Sequence, residues 1–242
     1  MVLISERLPA PCVAKLRELG QDVVPLPADP RLAAPVASHP DMLLFLSQNT
    51  LITDRIYYET FAQKQIDRIC AASKLYLHLT DESPRAEYPY DIRFNAARVG
   101  RFLFCYPEYT SPAILSLAAN KGWTIVPVRQ GYARCSLCPV SDRALITSDP
   151  SIARAAEHQK DLDVLTVHQG HILLPGYSHG FIGGCCGTDR DHLYFSGNLA
   201  LYPDGNAMVS FARAHGITAV ILSHDKLFDG GSLFFVPCHS DR

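Results

Sequence analysis

A helix that ends near a glycine and leads directly into a short apolar strand recurs along this sequence. Gly20, Gly122 and Gly216 each separate a segment of helical character from an apolar run. Glycine suits this place because it adopts the left-handed conformation that ends many helices. Residues 55–73 and 150–160 lead into apolar runs in the same way without the glycine. The pattern predicts five copies of one unit.

The five apolar runs are spaced at intervals typical of repeat proteins. Successive central residues lie 39 to 55 residues apart, and a period of this size indicates a repeat architecture. The central residues are Val24, Leu77, Val126, Leu165 and Val220.

The helix starts complete the unit. A short apolar strand precedes the helix, followed by a capping residue and often a proline, as in Ser111-Pro112 and Asp149-Pro150. Such side chains cap the first turn, and proline fits its first position. The sequence therefore predicts an α/β fold of repeated strand–helix–strand units, forming a single domain over residues 1–242.

Each repeat also contains a further segment, predicted to be an inner strand, that is rich in small and polar residues. A strand at the centre of a repeat array should be apolar, so polar and reactive groups there suggest a functional site. The segments are residues 39–47, 92–99, 133–140, 181–188 and 230–236, with the polar groups His39, Asp41, Arg93, Asn95, Cys135, Cys138, Cys185, Cys186 and Ser232.

Composition narrows the classes of function. The net charge is -2 and no run of Lys and Arg occurs, which argues against a nucleic-acid partner. No apolar run approaches the ~20 residues of a membrane span, and the start lacks the apolar core of a signal peptide. Eight cysteines in 242 residues are too few for a disulfide scaffold. We expect a cytoplasmic protein with free thiols and no membrane partner, and the oligomeric state stays open.

The segment Gly131-Tyr132-Ala133-Arg134-Cys135 and the residues after it, including Cys138 and Pro139, resemble the nucleophile segment of the arginine deiminases. These enzymes belong to the pentein superfamily, whose members modify guanidino groups. The resemblance implies that Cys135 is a nucleophile and that Arg134 is the basic residue beside it, in contact with substrate.

Two shorter segments are similar to other motifs of that superfamily. His39-Pro40-Asp41 resembles the His-x-Asp motif, which implies that His39 is a general acid and base and that Asp41 binds a guanidinium nitrogen. Asp229-Gly230-Gly231 resembles a Glu-Gly-Gly segment that supplies another acidic partner, with Asp229 in place of Glu.

The motifs stand in a different order from that of the arginine deiminases, in which the acidic Gly-Gly segment comes first and the cysteine last. Here the order is His39, Cys135, Asp229. A circular shift of equivalent repeats around a ring would keep the same spatial neighbours. The resemblance therefore implies a circularly shifted pentein, a five-fold pseudosymmetric α/β propeller.

The implied activity is hydrolysis of a C–N bond in a small cationic guanidino or amidino compound, without cofactor or metal. A thiolate is the attacking species, carboxylates orient the delocalised cation, and His39 moves protons. The covalent intermediate would be a thiouronium, and transfer to an amine instead of water would make the protein an amidinotransferase.

Purely structural roles also remain open for several of these residues. His39 can cap a turn, and Asp229 can serve plain turn chemistry. Arg93 and Asn95 can bind a substrate carboxylate or make structural hydrogen bonds.

Other functions also remain open. Four cysteines, two from each of two segments, can form a zinc site, Cys135 and Cys138 can form a redox pair, and Cys238 beside His239 can form a terminal dyad. The whole chain can also be a non-catalytic pentein that binds a partner, as the ribosome anti-association factors do. The cysteines of the zinc hypothesis are Cys135, Cys138, Cys185 and Cys186.

Overall fold

The computed structural model describes residues 1–236. Its strands form five three-stranded sheets, in the orders β15-β1-β2, β3-β4-β5, β6-β7-β8, β9-β10-β11 and β12-β13-β14. In each sheet the middle strand pairs parallel with one neighbour and antiparallel with the other. The strands are β1 (Val2–Ser5), β2 (Val23–Leu26), β3 (Leu44–Ser47), β4 (Thr50–Asp54), β5 (Tyr76–Thr80), β6 (Ala97–Val99), β7 (Phe102–Cys105), β8 (Thr124–Pro127), β9 (Leu137–Ser141), β10 (Ala144–Thr147), β11 (Asp163–Thr166), β12 (Cys186–Asp189), β13 (His192–Phe195), β14 (Thr218–Ile221) and β15 (Phe234–Phe235).

Helices connect the middle strand of each sheet to its parallel neighbour, and shorter helical turns precede some of the antiparallel strands. The helices are α1 (Ala10–Glu18), α2 (Pro40–Leu43), α3 (Arg55–Tyr57), α4 (Gln63–Ser73), α5 (Pro112–Asn120), α6 (Ala133–Ser136), α7 (Pro150–Glu157) and α8 (Gly205–Ala214). A π-helical turn, Tyr58–Ala62, joins α3 to α4, and 3₁₀ turns occur at Ala34–Val36, Gly183–Cys185 and Leu199–Leu201.

The predicted repeats are confirmed. The five central residues of the apolar runs all lie in the strand that follows a long helix, namely β2, β5, β8, β11 and β14. The three glycines at helix ends have the expected left-handed conformation, with φ of 78° at Gly20, 66° at Gly122 and 74° at Gly216.

The predicted inner strands are shorter than expected, which corrects the sequence analysis. Their first residues form turns: α2 and α6 are single helical turns, Gly183–Cys185 is a 3₁₀ turn, and β6 and β15 begin only at Ala97 and Phe234. In the first repeat the cause is Pro40, which lacks an N–H group for a strand ladder but fits the first turn of a helix. Most of the polar groups therefore lie in turns, ahead of the strands.

Five buried apolar clusters each join one long helix to two successive sheets. Helix α4 packs between the first and second sheets, and α5 packs between the second and third. Helix α7 packs between the third and fourth sheets, and α8 packs between the fourth and fifth. Helix α1 packs between the fifth and the first, since Leu16 belongs to a cluster with Ile4 of β1 and Tyr194 of β13. Each sheet is thus attached to the next through a helix.

Among residues 1–236, the helices are all too short or too polar to cross a lipid bilayer.

Helix α7 has a side-chain cap that can be tested. Asp149 Oδ1 accepts hydrogen bonds from the backbone N–H groups of Ser151 at 2.8 Å and Ile152 at 3.0 Å. Burial acts to raise the pKa of Asp149, but these bonds and those from Ser151 and Gln130 side chains outweigh it and lower the pKa. We expect Asp149→Ala to lower the free energy of unfolding by about 1 kcal/mol at pH 7, measured by urea denaturation.

The pH dependence of that loss follows from the lowered pKa. A carboxylate that is easier to ionise in the folded state stabilises the fold above its unfolded pKa, and this contribution disappears as the pH falls through its folded pKa. The difference between wild type and Asp149→Ala should therefore shrink below pH 3.8. Asp161→Ala, which removes an exposed partner of Arg101, is the control and should have a much smaller effect. An equal loss in both variants would contradict the assignment.

Candidate active site

Three predicted catalytic residues line one cavity of about 190 Å³. His39 precedes α2, Cys135 belongs to α6, and Asp229 lies shortly before β15. We call this space the thiol cavity. The other lining residues are Val36, Met42, Tyr132, Leu174, Tyr177, Ser178, His179 and Phe181.

Asn95 holds the Cys135 turn in place. Its Oδ1 accepts hydrogen bonds from the backbone N–H groups of Arg134 at 2.7 Å and Cys135 at 3.2 Å. Its Nδ2 donates to the backbone carbonyl of Asp41 at 3.1 Å and to Cys135 Sγ at 3.0 Å. Asn95 therefore makes structural hydrogen bonds, the second of the two sequence-based interpretations, and one of those bonds reaches the thiol.

Asp41 is completely buried next to this turn. Its Oδ2 accepts a hydrogen bond of 2.6 Å from Ser232 Oγ, while its Oδ1 has no hydrogen-bond partner among the described residues. Burial raises the pKa of Asp41, and the nearby charge of Asp229 raises it further. A buried carboxylate oxygen without a donor is energetically costly. Asp41, which the sequence predicts to bind substrate, is not among the residues that line the thiol cavity, so its effect on the cavity is through its charge on Cys135.

Asp229 serves the turn and the cavity together. Its Oδ2 accepts from the N–H of Phe181 at 2.8 Å, and its Oδ1 accepts from the N–H of Gly231 at 3.0 Å. The second bond, between residues two apart, is the turn role that the sequence left open for Asp229. Burial nevertheless raises the pKa of Asp229 to about 6. The carboxylate is therefore largely ionised at neutral pH and largely protonated at pH 5.

Two glycines allow the acidic residue and the histidine to pack closely. A β-carbon at Gly184 would overlap the Asp229 carboxylate, and one at Gly231, whose φ is 72°, would overlap His39. The glycine-rich 183–187 segment thus packs against the site residues.

His39 is 3% exposed and stands at the N-cap position of α2, but its side chain makes no capping hydrogen bond. Its Nδ1 lies 3.8 Å from Asp229 Oδ1, beyond hydrogen-bonding distance. Burial lowers the pKa of His39, against the opposing charge of Asp41. The imidazole is therefore neutral at pH 7 and able to accept a proton.

The Cys135 thiol is protonated in the unliganded protein. Burial raises its pKa well above the ordinary value, and the negative charges of Asp41 and Asp229 raise it further, against a smaller lowering by Asn95. Because the thiolate is the nucleophilic form, the site needs a positive charge in or near the cavity to become reactive.

Arg134 and Arg93, which the sequence predicts to bind substrate, both lie outside the lining of the thiol cavity. Arg134 is absent from the thiol cavity. Its Nη1 donates to the carbonyls of Leu137 and Gly183, both at 3.1 Å, and its guanidinium lies 5.4 Å from the centre of the Phe234 ring. Arg93 is likewise not part of the cavity lining, and its guanidinium lies 5.9 Å from the centre of the Tyr90 ring.

The other three cysteines of the zinc hypothesis lie deeper in the structure than Cys135. Cys138, Cys185 and Cys186 are fully buried, and the seven cysteines among residues 1–236 are free thiols. Within those residues, no three His, Cys, Asp or Glu side chains lie in an arrangement suited to a metal ion. The dyad suggested for Cys238 and His239 falls outside the described residues.

Several site residues were missed or given no role by the sequence analysis. Tyr132 and Phe181 form a stacked pair with ring centres 6.0 Å apart. The ring of His179 meets that of Phe181 edge to face, with ring centres 6.1 Å apart. Ser232 was noted only as a polar residue, and its bond to Asp41 depends on the fold. Tyr132 was signalled by its place three residues before Cys135, but the irregular segment containing Tyr177 and His179 has no periodicity that predicts its position.

Comparisons with known proteins add to this geometry. The model of a family of unknown function, DUF6873, matches residues 3–234. The chain belongs to this family. A comparison of the DUF6873 chain with curated protein sequences gave no match.

The solved structures similar to this DUF6873 protein are penteins, which confirms the resemblance seen in the sequence. SxtG, an amidinotransferase of saxitoxin biosynthesis from Microseira wollei, has a TM-score of 0.58 at 12% identity, over 95% of this chain and 79% of that one. The inosamine-phosphate amidinotransferase of Streptomyces griseus has a TM-score of 0.56 at 16% identity, over 95% and 79%.

A hydrolase of the same fold is similar over nearly its whole length. Dimethylarginine dimethylaminohydrolase from Pseudomonas aeruginosa, in a complex with citrulline, has a TM-score of 0.54 at 11% identity, over 92% of this chain and 91% of that one. The mixed α/β architecture of many small sheets is therefore similar to that of pentein structures. At these identities the similarity establishes the fold alone.

The hydrogen bond from Asn95 to the thiol gives a direct test of the site. Asn95→Asp keeps an oxygen for the two backbone N–H groups but replaces the amide donor near Cys135 with a carboxylate oxygen. The added negative charge should raise the pKa of Cys135. We expect alkylation of Cys135 by iodoacetamide at pH 8 to slow by about fivefold or more, followed by mass spectrometry.

Asn120→Asp is the matched control, because Asn120 is exposed at the end of α5. It should leave the alkylation rate of Cys135 unchanged. Equal rates in wild type and Asn95→Asp would mean that Asn95 has no influence on the thiol.

Proposed function

We propose that this protein hydrolyses a C–N bond of a small cationic guanidino or amidino compound, with Cys135 as the nucleophile. The observation that carries the proposal is that Cys135, His39 and Asp229 line one cavity, with the buried carboxylate of Asp41 close by. The similarity to penteins that act on such groups agrees with this chemistry.

The charge of the cavity favours a cationic ligand. Asp41 and Asp229 are both buried and both act on Cys135, so a cation that enters offsets the cost of burying two negative charges. The rings of Tyr132 and Phe181 add flat faces suited to a planar cation. The volume of about 190 Å³ suits a small molecule.

Binding of the cation also activates the nucleophile in this proposal. A positive charge beside Cys135 lowers the pKa of the thiol, opposing the effect of the two carboxylates. The substrate itself supplies the charge that the resting site lacks, and a neutral compound of the same shape does not.

The proposed reaction has two stages. The Cys135 thiol passes its proton to neutral His39, and the sulfur bonds to the guanidinium carbon. His39 gives the proton to the departing amine as the C–N bond breaks, which leaves a cationic thiouronium on Cys135.

Water completes the reaction. His39 takes a proton from water as the water oxygen attacks the thiouronium carbon. The C–S bond breaks, the sulfur regains a proton, a second proton goes to solvent, and a urea-type product leaves. Asp229 holds the cation in the cavity throughout, and the buried charge of Asp41 attracts it from behind the lining.

We infer that the five sheets form the blades of a five-fold pseudosymmetric propeller around this site. Support comes from the apolar clusters, which join each sheet to the next and the fifth to the first. In such a ring the circularly shifted order of His39, Cys135 and Asp229 does not disturb their spatial relation. We also propose that the protein acts in a reducing compartment such as the cytoplasm, where Cys135 stays a free thiol.

The first test is covalent labelling with 2-chloroacetamidine, a cationic thiol reagent, mapped by mass spectrometry. We expect fast modification confined to Cys135, slowed by methylguanidine and reduced by His39→Ala. Neutral 2-chloroacetamide should react much more slowly, because it does not supply the positive charge.

Cys105→Ser is a matched control, because Cys105 is buried in a different apolar cluster from that of Cys135. It should leave the labelling unchanged, whereas Cys135→Ser should abolish it. Slow labelling spread over several cysteines would contradict an activated thiol and would favour a non-catalytic binding protein.

The second test is turnover of a panel of guanidino and amidino compounds, with ammonia or amine release as the readout. With the active substrate, Cys135→Ala should abolish turnover and His39→Ala should lower kcat by roughly a hundredfold or more. Turnover that needs an added amine acceptor would identify an amidinotransferase, and turnover retained in Cys135→Ala would rule out the proposed nucleophile.

A further inference from the structure

A second cavity, of about 200 Å³, is lined by residues from all five sheets or from the segments directly before their strands. It shares no lining residue with the thiol cavity. The consecutive residues Arg134 and Cys135 each line one of the two spaces. We call this second space the arginine cavity, and its lining residues are Phe45, Leu46, Ser47, Gln48, Ala96, Arg98, Arg134, Pro139, Thr188, Leu233, Phe234 and Phe235.

Both charged side chains that line the arginine cavity are cations. Arg134 is 6% exposed and donates hydrogen bonds to the backbone carbonyls of Leu137 and Gly183. Arg98 donates to the carbonyl of Gly100 at 2.7 Å and to Ser47 Oγ at 3.3 Å.

Neither arginine has a carboxylate within ion-pair distance in the part of the chain that the structure describes. The carboxylates that influence them lie farther away. Asp142, which is exposed, acts on Arg98, and Asp41 and Asp229 interact with Arg134. The arginine cavity therefore has a positive lining without a counterion in contact.

This lining has the chemistry of an anion site. A buried charge is costly without a paired partner, and the planar arginine fork matches the oxygens of carboxylate and phosphate groups. Ser47 Oγ accepts from Arg98, so its own proton remains available as a donor. The Gln48 amide adds two further N–H groups to the lining.

We propose that the arginine cavity binds a small oxyanion, a phosphate or a carboxylate, between Arg98 and Arg134. The volume of about 200 Å³ accommodates inorganic phosphate or a short dicarboxylate. The site is separate from the thiol cavity and does not depend on the proposed hydrolase activity.

Isothermal titration calorimetry with inorganic phosphate and with succinate, in low-chloride buffer, tests the proposal. We expect saturable binding of one or both anions to wild type and to Cys135→Ser. The anion that binds more tightly identifies the class. Arg98→Gln should weaken binding by about tenfold or more, because it removes a charge-assisted hydrogen bond.

Arg143→Gln, which alters an exposed arginine between β9 and β10, should bind as wild type does. Arg98→Lys keeps the charge without the fork and should bind with intermediate affinity, which preserves the test if Arg98→Gln misfolds. Absence of binding by both anions would overturn the proposal. Binding that survives Arg98→Gln but is lost in His39→Ala would also overturn it, because the anion would then occupy the thiol cavity.

Discussion

The burial of two carboxylates beside one thiol is the constraint on which the rest of the site depends. Asp41 and Asp229 are withdrawn from water, and each retains a negative charge only at a cost in free energy. Hydrogen bonds from two backbone N–H groups stabilise the Asp229 carboxylate, and a hydrogen bond from Ser232 stabilises that of Asp41. Burial of the thiol is the main cause that raises the pKa of Cys135, and the negative charges of Asp41 and Asp229 raise it further. The cavity therefore favours a ligand with a positive charge.

The fold supplies this arrangement through its repeats. Each sheet begins its antiparallel strand with a turn, and the turns of different repeats contribute His39, Asn95, Cys135 and Asp229. Helices that pack between successive sheets fix the relative positions of those turns, so the site depends on the whole chain rather than on one loop. Arg134 and Cys135, adjacent in one such turn, line two separate cavities. Arg134 adds a positive charge to one of them, and Asp229 adds a negative charge to the other.

The sequence predicted the repeats well because glycine at helix ends and apolar runs are local signals. It also brought together His39, Cys135 and Asp229 through motif resemblance. It failed where tertiary contacts decide: the direction of the Arg134 side chain and the bond from Ser232 to Asp41. The helical turn at α2 has a local signal, Pro40 in its first turn, which the prediction of an inner strand did not use.

The most direct test of the account is the ionisation of Cys135 with and without a cationic ligand. Thiolate absorbance near 240 nm, recorded as the difference between wild type and Cys135→Ser across pH, reports this group alone. We expect saturating methylguanidine to lower the pKa of Cys135 relative to the free protein, and neutral methylurea to leave it unchanged. A pKa of Cys135 that is the same with and without the cation would contradict this expectation.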